Sequence, residues 1–126
     1  MSGCKVLIID DEKLLVKSTS MGLKCYDFEP EGALDGLEGL LMAEKSRPDI
    51  ILLDIMMPGI DGWEVLKRLK SDDNLKDIPV VIFTAKEYSN GKSDAALKGA
   101  VDFIQKPFEL DDLVALLKKY TKKQEC

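Results

Sequence analysis

The sequence predicts an α/β protein, in which a parallel β-sheet carries helices on both faces. Three largely apolar runs, Lys5–Ile9, Ile50–Leu53 and Val80–Phe83, show no alternation of apolar and polar residues. Continuous runs of this kind are typical of strands buried on both faces of a sheet. Helix-compatible segments separate the strands, and this repeated alternation indicates right-handed crossovers between parallel strands.

Two further strands have weaker signals. Tyr26–Glu29 alternates and stops at Pro30. Because proline cannot donate a hydrogen bond to a sheet ladder, we expect this strand at an edge of the sheet. Val101–Ile104 is predicted to be the last strand, followed by Gln105, Lys106 and Pro107.

Five helices are predicted between and after these strands. The first two are Leu14–Cys25 and Gly36–Ser46, and the third begins at the capping-box pair Asp61 and Glu64. The fourth lies within Glu87–Lys98. The closing helix has Leu110, Leu113, Val114 and Leu117 on one face. The closing helix has the clearest pattern. Gly91 and its polar neighbours make Glu87–Lys98 the weakest helical pattern in the chain.

The composition is that of one ordinary globular domain. The chain has 126 residues, of which 45% are hydrophobic and 33% charged. We expect a single domain over 1–126, with a core over about 4–121 and a short basic C-terminal tail. No signal-peptide pattern and no apolar run of about 20 residues is present, which predicts a cytoplasmic protein without membrane insertion. The net charge of −5 argues against direct nucleic-acid binding.

Polar residues follow the buried strands at their carboxyl ends. These residues are Asp10, Asp11, Asp54, Thr84 and Lys106. If the first and third strands are neighbours, the three carboxylates meet at a topological switch point of the sheet, where they repel one another unless a proton or a cation intervenes. Mg²⁺ suits oxygen ligands. The chain has no histidine, and its three cysteines lack metal-ligand spacing, so a softer metal is not indicated.

Such a site is suited to phosphoryl transfer. A free carboxylate can attack phosphorus and form an acyl phosphate, while a metal and the Lys106 ammonium neutralise the phosphoryl oxygens and Thr84 donates a hydrogen bond to one of them. Each residue also has an ordinary structural interpretation, since Asp-Asp can cap a helix, threonine favours strands and Lys-Pro forms turns. Their coincidence at one sheet edge favours a functional site.

The chain resembles the receiver domains of response regulators in two-component signalling. Five stretches carry the resemblance in the same order over nearly the full length: VLIIDDEK, ALDGLEGL, PDIILLDIMMPGIDGWEVLKRLK, IPVVIFTA and KGAVDFIQKPFELDDL. It implies a flavodoxin-like, doubly wound fold with five parallel strands in the order 2-1-3-4-5. Two departures stand out: Phe103 replaces a tyrosine common in the family, and Gly39 replaces a common alanine.

The resemblance also implies the roles of the site residues. Asp54 matches the phosphoacceptor. Asp10 and Asp11 match the acidic pair that holds Mg²⁺ together with Asp54 and the main-chain carbonyl of Met56.

Four further positions are implied in the same way. Thr84 and Lys106 match the hydroxyl and the lysine that contact the phosphoryl group, and Phe103 matches the switch aromatic. The Lys106–Pro107 peptide is expected to be cis. Met56 and Lys86 are expected to flank the approach of the hydrolytic water and so to tune the lifetime of the acyl phosphate.

The predicted function is therefore a phosphorylatable switch rather than an enzyme. A histidine kinase or a phosphotransfer protein would donate the phosphoryl group. A downstream protein would bind the face formed by Glu87–Lys98, the last strand and the last helix.

Two alternatives stay open from the residues. An aspartyl-phosphate phosphatase would normally need a second acid two residues after Asp54, where Met56 stands, and a cap domain. A flavodoxin-like electron-transfer protein would need a hydroxyl- and glycine-rich loop after the first strand, where the chain has Asp-Asp-Glu-Lys.

Overall fold

A computed structural model describes residues 3–84 and 99–121 of the chain. Five strands are present: β1 (Cys4–Ile9), β2 (Phe28–Ala33), β3 (Ile50–Leu53), β4 (Val80–Thr84) and β5 (Asp102–Gln105). The described residues also form four helices: α1 (Lys13–Lys24), α2 (Gly36–Ser46), α3 (Gly62–Ser71) and α4 (Leu110–Thr121). The predicted helix Glu87–Lys98 lies outside the described residues. None of the described helices is long and apolar enough to cross a membrane.

The strands form one sheet in the order β2-β1-β3-β4-β5, and every neighbouring pair is parallel. This order confirms the predicted fold. It places β1 beside β3, so the polar residues that follow these two strands lie at one edge of the sheet.

Side chains from successive residues of the central strands enter two separate apolar clusters, one on each face of the sheet. The first cluster is formed with α2 and α3 and contains Leu7, Ile9, Ile51, Leu53, Ala43, Val65, Leu66 and Leu69. The second is formed with α1 and α4 and contains Val6, Ile8, Ile50, Leu52, Val16, Leu23, Leu113 and Leu117. Burial on both faces explains why these strands are continuously apolar in the sequence.

Two predicted strand boundaries were wrong. The second strand runs from Phe28 to Ala33 and not over Tyr26–Glu29, because Asp27 adopts a positive φ of 68° and ends the turn that precedes the strand. Pro30 therefore lies inside β2, opposite Val6 of β1. It is accommodated there because β2 is an edge strand, as predicted, and pairs only with β1.

The last strand is shifted by one residue from its predicted position. It covers Asp102–Gln105, and Val101 before it is 40% exposed. The third helix begins as predicted, because Asp61 accepts a hydrogen bond from the main-chain N of Glu64 over 3.0 Å. The carboxylate of Glu64 instead pairs with Arg68 at 2.9 Å.

Candidate functional site

The ends of β1 and β3 bring two acidic residues together. Asp10 follows the last residue of β1, and Asp54 follows the last residue of β3. The main-chain N of Asp54 donates to the carbonyl of Ile9 over 2.9 Å, and that of Asp10 donates to the carbonyl of Ala33 over 3.1 Å. The ladder hydrogen bonds thus continue one residue past the strands and hold both acids against the sheet.

The three predicted carboxylates form one cluster. Oxygen atoms of Asp10, Asp11 and Asp54 all lie within 4.8 Å of one another. Asp10 is fully buried and Asp54 is 3% exposed, whereas Asp11 is exposed at the mouth of the site. The site therefore has a closed floor and one open, solvent-facing side.

Lys106 reaches this cluster from the loop after β5. Its Nζ lies 2.7 Å from Asp10 Oδ2 and 3.3 Å from Asp54 Oδ2. The Lys106–Pro107 peptide is cis. Because the Lys106 side chain is only 16% exposed, its ammonium charge lies largely inside the protein beside the carboxylates.

Burial and neighbouring charges shift the pKa values of Asp10 and Lys106. Burial raises the pKa of Asp10 from 3.8 to about 6, although the hydrogen bonds from Lys106 and from the main chain of Glu12 lower it. The charge of Asp54 adds to the rise. Burial also lowers the pKa of Lys106, but its hydrogen bond to Asp10 and the charges of Asp54 and Asp10 outweigh that effect, so the net pKa is raised.

The loop between β3 and α3 orients Asp54. Oδ1 of Asp54 accepts a hydrogen bond from the main-chain N of Met56 over 2.9 Å, while Oδ2 faces Lys106. The Met56 side chain is 54% exposed. A Cβ added to Gly62 would stand 2.5 Å from the carbonyl oxygen of Asp54 and 2.3 Å from Cα of Ile55. The first residue of α3 therefore packs directly against the backbone that carries Asp54.

The other predicted site residues lie on β4, on β5 or outside the described residues. Thr84 is the last residue of β4 and is in register with Gln105 of β5. The structure describes its place in the strand and not its side chain. Phe103 is half-buried in β5 and packs against the apolar cluster formed with α2 and α3. Lys86 lies outside the described residues.

Two residues near Lys106 were not singled out from the sequence. Oε1 of Glu12 lies 3.1 Å from Lys106 Nζ, and the centroid of the buried Phe83 ring lies 4.9 Å from it. The signal for Glu12 was present, since it directly follows the acidic pair at the end of β1. The position of Phe83 under the ammonium depends on the packing of β4 and has no sequence signal of its own.

The cluster fits a hard divalent cation. It offers carboxylate oxygens, which are the ligands that Mg²⁺ prefers. The three carboxylates lie within 4.8 Å of one another, and the charge of Asp54 adds to the rise that burial causes in the pKa of Asp10, so the acids repel one another. A cation bound to Asp10, Asp11 and Asp54 would relieve this repulsion.

Comparisons with known proteins agree with this architecture. A family model for the response regulator receiver domain matches residues 6–118. The transcriptional regulatory protein PrrA of Mycobacterium tuberculosis is 40% identical over 114 residues, which cover 90% of this chain and 48% of that protein. The response regulator PleD of Caulobacter vibrioides is 37% identical over 120 residues, covering 95% of this chain and 26% of that protein.

A solved structure is similar over the same extent. The receiver domain of the Francisella response regulator 1452 superimposes with a TM-score of 0.88 at 29% identity, covering 97% of this chain and 99% of that one. The chain spans half or less of the length of the curated relatives named above. These matches favour neither the phosphatase nor the electron-transfer alternative. The chain belongs to the response regulator receiver domain family and is a receiver of two-component signalling.

Proposed function

We propose that Asp54 is the phosphoacceptor of this receiver. A carboxylate oxygen of Asp54 attacks phosphorus of a phosphohistidine, the P–N bond breaks, an acyl phosphate forms, and the donor histidine leaves after taking a proton from solvent. The observation that carries the proposal is the position of Asp54, with the Asp10 and Asp11 carboxylates within 4.8 Å and the Lys106 ammonium 3.3 Å from Oδ2.

The residues around Asp54 would have different roles in phosphoryl transfer. The main-chain N of Met56 holds Oδ1 of Asp54 in place, so Oδ2 remains directed at Lys106. Lys106 neutralises charge on the phosphoryl oxygens, and the Thr84 hydroxyl donates a hydrogen bond to one of them. Such positioning and charge neutralisation account for most of the catalysis in phosphoryl transfer.

The same site would hold Mg²⁺. Its ligands would be Asp10, Asp11, Asp54 and the main-chain carbonyl of Met56. When bound, the ion would supply charge neutralisation at the carboxylates and at the phosphoryl oxygens. The clustering of three carboxylates within 4.8 Å of one another, with Asp11 at the open side, supports this assignment.

Phosphorylation with a small-molecule donor tests the assignment. We expect incubation with acetyl phosphate and Mg²⁺ to add the mass of one phosphoryl group to the wild type and nothing to Asp54→Asn, with no reaction in EDTA. Glu44→Ala, which removes an exposed acid of α2, is a matched control and should react like the wild type. Undiminished modification of Asp54→Asn would show that another residue is the acceptor.

The partners follow from the same function. The donor would be a histidine kinase or a phosphotransfer protein. The phosphorylated state would be read by a protein bound to the face of Glu87–Lys98, β5 and α4. The receiver itself would act as a binding switch with slow self-dephosphorylation, and it would not contact nucleic acid directly, even where a longer relative such as PrrA is a transcriptional regulator.

A further inference from the structure

The Lys106 ammonium has three carboxylate neighbours at hydrogen-bond distance. They are Oδ2 of Asp10 at 2.7 Å, Oε1 of Glu12 at 3.1 Å and Oδ2 of Asp54 at 3.3 Å. A lysine ammonium has three N–H donors, so each donor has one acceptor. Glu12 therefore completes the hydrogen bonding of Lys106.

Glu12 differs from the other two acceptors in its surroundings. Asp10 and Asp54 are buried in the cluster assigned to the metal, whereas the Glu12 side chain is 63% exposed. Its main-chain N donates to Oδ1 of Asp10 over 2.9 Å, which anchors the residue beside the site. Among the described residues, its carboxylate is thus the one acceptor of the ammonium that lies outside the buried part of the site.

An aromatic ring also lies beside the ammonium. The Phe83 ring centroid lies 4.9 Å from Lys106 Nζ, and Phe83 is itself fully buried, with its ring in edge contact with Phe108 at 6.0 Å. The ring is therefore a packed apolar neighbour of the ammonium, whose described hydrogen-bond acceptors are the two buried acids and Glu12.

We propose that Glu12 is a positioning residue for Lys106. Its carboxylate offers the ammonium an acceptor outside the metal cluster, so Lys106 can turn from Asp10 and Asp54 toward Glu12 when a cation enters the cluster or a phosphoryl group forms on Asp54. Without the Glu12 carboxylate, Lys106 pairs only with Asp10 and Asp54 and competes with the cation for them. The inference rests on the function proposed above, but its effect on cation binding precedes phosphoryl transfer.

Mg²⁺ titration by calorimetry tests the proposal without phosphorylation. We expect Glu12→Ala to weaken Mg²⁺ binding by about twofold to tenfold, the range that one rearranged hydrogen bond accounts for. Glu12→Gln keeps an oxygen acceptor for Lys106 and should retain binding within about twofold of the wild type. Lys17→Ala, an exposed residue of α1, is the control for a nonspecific surface change.

A double-mutant cycle shows whether Glu12 acts through Lys106. In a Lys106→Met background, Glu12→Ala should leave Mg²⁺ affinity unchanged, because the group that it positions is gone. An equal loss in both backgrounds, equal losses in Glu12→Gln and Glu12→Ala, or wild-type affinity in Glu12→Ala would each overturn the proposal. Acetyl phosphate labelling of the wild type separates the two hypotheses, since an unlabelled Asp54 contradicts the proposed function whatever the cycle shows.

Discussion

Lys106 Nζ donates a 2.7 Å hydrogen bond to Oδ2 of Asp10, although the two residues lie 96 positions apart in the chain. Asp10 directly follows β1 and Lys106 directly follows β5, so the contact joins the ends of the first and last strands of the sequence. Asp10 is fully buried, and its charge depends on this partner. The ion pair therefore contributes to both the stability and the chemistry of the receiver.

We expect Lys106→Met to destabilise the metal-free protein by about 3 kcal/mol, because removing one partner leaves a buried carboxylate uncompensated. Mg²⁺ should recover part of this loss by neutralising the same carboxylates. Urea unfolding with and without Mg²⁺ measures both effects. Lys17→Met, an exposed lysine on α1, is the control and should unfold like the wild type. Equal stability of Lys106→Met and wild type without metal would contradict the prediction.

Asp11→Ala should have the opposite effect on the metal-free protein. Asp11 is the exposed member of the carboxylate cluster, so its removal relieves repulsion at little packing cost. Thermal melts should show a higher Tm for the variant without Mg²⁺ and a smaller stabilisation on adding it. Glu44→Ala makes the same charge change away from the site. If Mg²⁺ stabilises Asp11→Ala and the wild type equally, Asp11 is not a ligand.

Gly39→Ala should destabilise the protein through Ile9. A Cβ at Gly39 would stand 2.6, 2.8 and 3.0 Å from three side-chain carbons of Ile9, which immediately precedes Asp10. Overpacking of this kind costs about 1–3 kcal/mol and outweighs the gain of about 1 kcal/mol for alanine in a helix. In an Ile9→Ala background the clash is absent, so Gly39→Ala should become stabilising.

Denaturant unfolding of these four proteins measures the reversal of sign. A similar destabilisation by Gly39→Ala in both backgrounds would show that Ile9 is not the obstacle. The same cycle would explain why glycine replaces the alanine common in the family at this position.

Phosphorylation should reach α4 through Phe103 and Asp102. Oδ1 of Asp102 accepts from the main-chain N of Phe103 over 2.8 Å, and Oδ2 accepts from the Tyr120 hydroxyl of α4 over 2.7 Å. If Thr84 moves toward the phosphoryl group and Phe103 turns inward, the start of β5, which Tyr120 holds through Asp102, shifts together with Phe103. Signals of Phe103 and Tyr120 should therefore move in NMR spectra on adding beryllofluoride and Mg²⁺.

Thr84→Ala separates this coupling from binding. The variant should keep the beryllofluoride shifts near Asp54 and lose those of Phe103 and Tyr120, and Asp54→Asn should show neither. Shifts confined to the loops around Asp54 in the wild type would mean that the coupling does not exist.

Met56 should lengthen the lifetime of the acyl phosphate. Its side chain is 54% exposed beside Asp54 and carries a thioether, which is a poor hydrogen-bond partner for the hydrolytic water. We expect Met56→Asn and Met56→Glu to speed hydrolysis by a few-fold to about tenfold, or ~1 kcal/mol in the barrier. Phosphate release from labelled protein measures the rate. Equal or slower release from both variants would assign Met56 a packing role only.

The sequence alone was enough to predict the strands of the centre and the residues at their ends. Burial on both faces demands continuous apolar runs, so Ile50–Leu53 and Val80–Phe83 were visible without a structure. The acids Asp10, Asp11 and Asp54 were identifiable because they directly follow such runs. The predicted position of the edge strand β2 was wrong. The positive φ of Asp27 depends on local turn geometry, and Pro30 is tolerated inside the strand because β2 has a neighbour strand on one side only.

Only the tertiary structure decided how the site residues meet. The order of the strands brings Asp10 beside Asp54, and the loop after β5 places the Lys106 ammonium in contact with both. Glu12 becomes the third acceptor of the Lys106 ammonium only through this arrangement. Contacts between residues almost a hundred positions apart depend on how strands and helices pack, and neither the helical nor the strand periodicity of the sequence specifies that packing.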